Sequence, residues 1–323
     1  MNILEFTEVL NTWGNQKIPF LFIVDFEVEK PMVWKLKQID SSKIRYNIRG
    51  FSNAVSEYSK TNSGSITKFP NTFEAYEKKF KFVFEELKHG NSFLTNLTDK
   101  TRIESDKSLA ELFDQCKAAY KLLFKDEFLV FSPESFIRIR DNKIYSFPMK
   151  GTIDASIPNA KEKILSDQKE LAEHITIVDL IRNDISQVAS NVIVKRFRYI
   201  EEVKTQEKNL LQVSSEIIGD LKPDYTSRIG DLIISLLPAG SVSGAPKAKT
   251  LEIIRTAEIE KRGYYTGVFG YFDGVNLDSG VMIRYIEKRG DQLFYRSGGG
   301  ITAQSNVTSE YQELIDKIYV PID

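Results

Sequence analysis

The chain has 323 residues, 41% of them hydrophobic and 28% charged, and its 44 basic residues against 45 acidic ones leave a net charge of −1. This is the profile of an ordinary globular protein with ample material for a core. It offers no basic field for nucleic acid or a membrane surface and no apolar run near the ~20 residues of a membrane helix. The single cysteine, Cys116, excludes an internal disulfide and fits a reducing, cytoplasmic setting. With only His89 and His174 available, an imidazole metal cage or a Ser-His-Asp triad is not expected. Any metal should sit among carboxylates, which favours a hard ion such as Mg²⁺.

The N-terminal MNILEFTEVLNTW carries Glu5 and Glu8 without a basic cluster, unlike a signal peptide. FLFIVDFEVE (20–29) alternates apolar residues against a more polar face and predicts a strand, with VWKLKQI (33–39) as its hairpin partner. TNSGSITKFPN (61–71) reads as a loop. Helical spacing predicts helices over 73–89, stopped by Gly90, over 109–124, with Cys116 in the core, and over roughly 161–189. A further helix is expected over 246–263, with proline at its first turn and glycine at its end, and a last one over 309–320. Between them YYTGVFGYF, GVMIRYIEK and DQLFYRS (264–297) predict three strands of a meander. Antiparallel hairpins interspersed with helices, without repeated βαβ units, indicate an α+β fold.

Four stretches can carry chemistry. In FLVFSPESFIRIRDNKIYSFPMKGT (128–152), Asp141-Asn142 reads as a two-residue hairpin turn. Pairing outward from it sets Arg140 against Lys143 and Glu134 against Met149, so Glu134 and Lys150 are expected close together. Strict pleating points them to opposite faces, and a break at Pro148 would re-aim Lys150. An exposed charge at a strand end and a placed amine both fit this stretch. Glu310, Glu313 and Lys317 share one helical face, suited to a hard cation and an anion, or simply solvated. The preceding SGGGIT (297–302) is expected to let backbone N–H groups approach an anion ahead of the helix. LLPAGSVSGAPK (236–247) invites a phosphate-loop reading, which fails because Pro246 and Ala248 flank Lys247. A carboxylate-binding loop and a structural turn both remain. In ELAEHITIVDLIRND, Glu173 lies on a largely apolar helix, where a carboxylate is expensive unless paired or coordinated. Arg182, Asn183 and Asp184 read as a local structural network.

Together, SPESF, FPMKGT, AEHITIVDLIRND, LLPAGSVSGAPK, GYYTGVFGYF…VMIRYIE and SGGGIT…SEYQELIDK resemble, in order over roughly 130–317, the chorismate-utilising enzymes. That family includes anthranilate synthase component I, aminodeoxychorismate synthase component I, and the isochorismate and salicylate synthases. GNSFLTNLT (90–98) is a weaker upstream match. The resemblance implies large antiparallel sheets in a layered sandwich with helices outside. It implies one chorismate-binding catalytic domain over 1–323, with a shortened N-terminal region of about 1–75 that makes a tryptophan-regulatory site doubtful.

By the same resemblance, Glu173 and Glu313, with Glu310, match Mg²⁺-binding positions. Thr152, Ser241, Tyr265, Arg284, Lys317 and the Gly298 and Gly300 amides match substrate-binding positions. Glu134 matches the general acid/base. Lys150 separates the subfamilies. Aminodeoxychorismate synthases usually carry lysine there, and anthranilate and isochorismate synthases usually carry alanine. The implied reaction is attack of the amine on C2 of chorismate, departure of the 4-hydroxyl, attack of ammonia on C4 and expulsion of the lysine. It feeds p-aminobenzoate and folate synthesis, with ammonia from a separate glutamine amidotransferase. The attacking amine has to be neutral, hence desolvated or near other cations. Leu94 fills a position where isochorismate and salicylate synthases place a base lysine, which argues against water as nucleophile. Anthranilate synthase component I is the close alternative. A non-catalytic binding subunit on the same scaffold is the alternative from another class.

Overall fold

A computed structural model describes residues 1–54, 65–204 and 209–321. Among these residues the chain builds two nine-stranded antiparallel sheets. In the first, Met32–Lys35, Phe20–Val24, Val268–Phe272, Leu277–Val281, Ser135–Arg140, Lys143–Ser146 and Asn209–Asp220 lie side by side. In the second, Leu94–Ser105 pairs Gln292–Ile301, followed by Tyr285–Arg289, Phe128–Ser132, Tyr120–Phe124 and Ile44–Ile48. Leu21, Ile23 and Phe269 of the first sheet pack with Tyr46, Leu122 and Val130 of the second in one core. The helices cover the outer faces. Leu10, Ile181 and Ile233 lie against the first sheet, and Tyr76, Ile253 and Leu314 against the second. This is the expected α+β sandwich.

The strand Phe20–Val24 is buried on both faces rather than alternating, because one face meets the other sheet and the other meets a helix layer. It ends at Val24, where the Asp25 carboxylate accepts hydrogen bonds from the Glu29 and Lys30 amides and turns the chain. The expected hairpin with Met32–Lys35 forms.

Several expected helices change extent. The helix expected over 109–124 stops at Gln115, and Tyr120–Phe124 is a strand instead, paired on both edges. Filling two ladders at once outweighs its helical spacing. Cys116 does lie in the core. The segment 161–189 is two helices, Ala160–Ser166 and Gln168–Ser186, divided at Asp167, whose side chain caps the second. Lys247–Ala257 is shorter than expected. Pro246 sits at its N-cap, and Gly263 lies beyond its end. Of the stretch read as a loop, Ile66–Phe69 is a strand paired with Ser105–Arg102, whereas 61–64 lie outside the described residues. The predicted meander has four strands, and GVMIRYIEK is split between the two sheets. Arg284, with φ +52°, sits at the crossover. Phe73–Lys88 forms as expected, and the last helix runs Val307–Asp316.

Candidate active site

The Asp141-Asn142 turn forms, with positive φ at both residues and Arg140 facing Lys143. The ladder outward from it ends at Arg138 and Tyr145. Met149 then pairs with Ser214, not with Glu134, because Met149–Asp154 has left its hairpin partner for the edge of Asn209–Asp220. The register shifts between Met149 and Thr152, so the irregularity falls at Lys150–Gly151 rather than at Pro148. Gly151 has φ +86°, and a Cβ there would lie 3.1 Å from Glu170 Oε2. Both facts call for glycine. This bulge aims Lys150 at the helix Gln168–Ser186, where its Nζ lies 2.6 Å from Glu173 Oε2.

Glu134 reaches the same region from the first sheet. Its carboxylate accepts a hydrogen bond from Ser241 Oγ, and its amide is held by Ser132 Oγ at 3.0 Å. Ser241 stands on the 3-10 turn Gly240–Val242. Burial raises the Glu134 carboxyl above its usual range, and Ser241, Arg284 and Lys317 pull it part of the way back. Buried Tyr265 packs against Tyr285, and desolvation pushes its hydroxyl up to about 12. Arg284 Nε is buried with no hydrogen-bond partner among the described residues, as is Ser297 Oγ.

The glycine run is not a loop before the helix. Gly298, Gly299 and Gly300 belong to the strand Gln292–Ile301, opposite Thr98, Leu97 and Asn96. Their role is close approach. A Cβ on Gly299 would lie 3.3 Å from Glu310 Oε2 and 3.7 Å from both Glu313 Oε1 and Lys317 Nζ. A Cβ on Gly300 would lie 2.9 Å from Leu94 Cδ1 and 4.0 Å from Lys150 Nζ. Lys317 Nζ donates to Gly298 O at 2.8 Å and lies 2.6 Å from Glu313 Oε1. Glu310 accepts from Ser305 Oγ at 2.7 Å. Gly299→Ala is therefore expected to keep the fold, checked by circular dichroism, while lowering kcat/KM about tenfold, a loss of ~1.4 kcal/mol.

The two lysines respond oppositely to this arrangement. Burial works to lower the Lys150 amine, but the Glu173 carboxylate, helped by Glu170 and Glu313, holds it above the ordinary lysine value. Lys150 is thus an ammonium here, not the neutral amine expected from desolvation. For Lys317 burial wins over Glu313, with the Lys150 and Arg284 charges adding to it, and the amine is lowered. These mutual fields join Glu134, Lys150, Arg284, Glu313 and Lys317. Of the expected residues Thr152 and Glu313 are exposed; Thr152 is paired with Gln212 at the bulge's end, and no described contact ties it to the others.

Sequence reasoning missed three features. Asp184 pairs not with its chain neighbours but with Lys247, at 2.6 Å. Arg262, fully buried, donates to Glu258, Val242 O and Asn96 O. His174, beside Glu173, shares a 2.6 Å hydrogen bond with Ser215 Oγ. Burial, aided by the Arg198 and Lys150 charges, pushes its imidazole down to about 4. Since the unfolded His174 binds a proton near pH 6.5, its contribution to stability is complete above that pH and is lost as pH falls toward 4. The expected loss is about 3 kcal/mol. Urea unfolding at pH 7 and pH 4.5 should show it, and His174→Gln should flatten the difference.

A sandwich with carboxylates, lysines and an arginine gathered over a glycine strand defines an enzyme for an anionic small molecule. The chain belongs to the chorismate-binding enzyme family, whose pattern matches residues 25–323. It is 48% identical over 318 residues to an "Uncharacterized PabA-like protein" of Haemophilus influenzae, covering 98% of this chain and 97% of that one. It is 31% identical over 264 residues to aminodeoxychorismate synthase component 1 of Escherichia coli, covering 76% and 56%. Among solved structures, anthranilate synthase component I from Streptococcus pneumoniae superposes with a TM-score of 0.67 at 26% identity, covering 80% of this chain and 59% of that one.

Proposed function

We propose that this chain is the chorismate-aminating component of an aminodeoxychorismate synthase, forming 4-amino-4-deoxychorismate through a covalent adduct on Lys150. The observation that carries the reading is the Lys150–Gly151 bulge, which spends an irregularity to place one amine within 2.6 Å of Glu173 and beside Leu94 and Gly300. Arg284 and Lys317 are the cations available to the substrate's carboxylates. Glu134, with its raised carboxyl, is suited to protonate the departing 4-hydroxyl. Before attacking, Lys150 Nζ has to release a proton, and Glu173 Oε2 is an acceptor within reach. Leu94 gives that wall an apolar side chain, which disfavours water as the attacking group.

Glu310 and Glu313, with Glu173, are hard oxygen donors whose chemistry fits Mg²⁺. Among the described residues, however, no three metal-type ligands are already gathered into one cage. Glu173 and Glu313 hold lysine ammonium groups, which a cation would have to displace. When bound, it would supply positive charge against the ring carboxylate of chorismate. Ammonia would come from a glutamine amidotransferase, in the service of p-aminobenzoate and folate synthesis in the cytoplasm.

The test is direct. The purified chain is incubated with chorismate, Mg²⁺ and ammonium salt, and the product is identified by mass and fluorescence. 4-Amino-4-deoxychorismate is expected. Anthranilate would move the assignment to anthranilate synthase, which additionally eliminates pyruvate. Isochorismate or salicylate would show that water attacks. No turnover at all would favour a binding subunit.

A further inference from the structure

Beside Glu134 lies a small, mostly apolar cavity that also brings in Asp184, a residue the reaction as described does not use. The cavity, of about 30 Å³ counted as space open to the centre of a water molecule, is lined by Glu134, Ser241 and Asp184. Ser146, Ile181 and Leu236 complete much of its wall, whereas Lys150, Arg284 and Lys317 do not line it. One water needs roughly 10–15 Å³ of such space and two to four polar partners. The volume therefore has room for one or two molecules, and two carboxylates, Glu134 and Asp184, and three serines, Ser135, Ser146 and Ser241, line it. Gly240 lets the turn that carries Ser241 come close to Asp184, since a Cβ there would lie 3.1 Å from Asp184 Oδ2 and from Leu180.

Asp184 in turn is tied outward. Lys247 Nζ donates to its Oδ2 at 2.6 Å, and the two side chains are 20% and 11% exposed, so the pair connects the cavity to solvent. Burial raises the Asp184 carboxyl as it raises Glu134, with Lys247 offsetting part of the effect. The charged groups felt by Glu134 are Arg284 and Lys317, and the one felt by Asp184 is Lys247.

We propose that Asp184, with Lys247, is the proton supply of Glu134, acting through water held in this cavity while bound substrate covers the other approach. The step balances. Glu134 gives its proton to the departing hydroxyl, which leaves as water. The cavity water then gives a proton to the Glu134 carboxylate and takes one from the Asp184–Lys247 pair, which regains it from solvent. Asp184 never touches substrate and is a positioning residue for the proton. The proposal rests on the reading of Glu134 as the acid.

The experiment compares kcat and KM as functions of pH for the wild type, Asp184→Asn and Asp184→Glu, using whichever chorismate product the chain forms. Asp184→Asn keeps the shape but cannot pass a proton. It is expected to lower kcat about a hundredfold, near the lower end for a positioned proton donor. The loss should grow as pH rises, KM for chorismate should stay within about twofold, and Asp184→Glu should restore most of the rate. If Asp184→Asn does not fold, Ser146→Val, which puts methyl groups in place of the water, must reproduce the fall in kcat. An unchanged kcat–pH profile in either folded variant overturns the relay. So does a crystal structure of the wild type in which the cavity is dry. A wild type without any chorismate turnover would instead remove the functional reading on which the relay rests.

Discussion

Replacing Lys150 with alanine is expected to lower formation of 4-amino-4-deoxychorismate by at least ~10³-fold, the scale on which loss of a covalent nucleophile shows. Alanine removes two things at once, the nucleophile and the partner of a Glu173 that is 4% exposed. Lys150→Arg separates them. Arginine keeps a cation beside Glu173 but stays protonated and cannot form the adduct. Both variants should therefore fall to the same residual rate, while only the alanine variant loses stability. That loss should stay below the ~3–5 kcal/mol of a fully buried broken pair, because the Lys150 side chain is 26% exposed. Product formation by mass spectrometry and unfolding midpoints in guanidinium check the two halves. An alanine variant that still makes the product at the wild-type rate would disprove the covalent role.

The second large effect is on stability. Arg262 donates to both carboxylate oxygens of Glu258 at 2.8 and 2.7 Å, to Val242 O at 2.8 Å and to Asn96 O at 2.7 Å. Glu258 also receives the Thr98 amide at 2.9 Å. One planar cation thus ties the turn that carries Ser241 to the strand opposite Gly300 and to the end of Lys247–Ala257. Arg262→Met leaves Glu258 as a buried, uncompensated charge and should cost about 3–5 kcal/mol. Arg262→Lys should recover only part of it, since a point charge cannot span the four acceptors. Guanidinium unfolding measures both, and a methionine variant within 1 kcal/mol of wild type would show the network to be dispensable.

Much of the site was legible residue by residue. Glu134, Lys150, Glu173, Glu310, Glu313 and Lys317 stand in short motifs whose order marks the family. The Asp141-Asn142 hairpin and the helix Phe73–Lys88 follow from turn chemistry and apolar spacing, both local signals. The helix expected to continue through Tyr120–Phe124 shows the limit. Those five residues carry a helical pattern, yet two neighbouring strands, Ile44–Ile48 far back in the chain and Phe128–Ser132 just ahead, claim their backbone groups. Asp184 and Lys247 illustrate the same limit for side chains, since 63 residues separate the partners.

The sequence by itself determined which chemical groups this protein carries, their order along the chain, and the turns and helices set by neighbours within a few residues. Only the tertiary structure decided where those groups point. The pairing of Met149–Asp154 with Asn209–Asp220, and not with its hairpin partner, creates the bulge that turns Lys150 onto Glu173. The ladder between Gln292–Ile301 and Leu94–Ser105 makes a strand of the three glycines and lets the carboxylates come close. The physical reason is that ladder pairing and burial are decided between segments far apart in the chain, and no local pattern encodes which partner will be there.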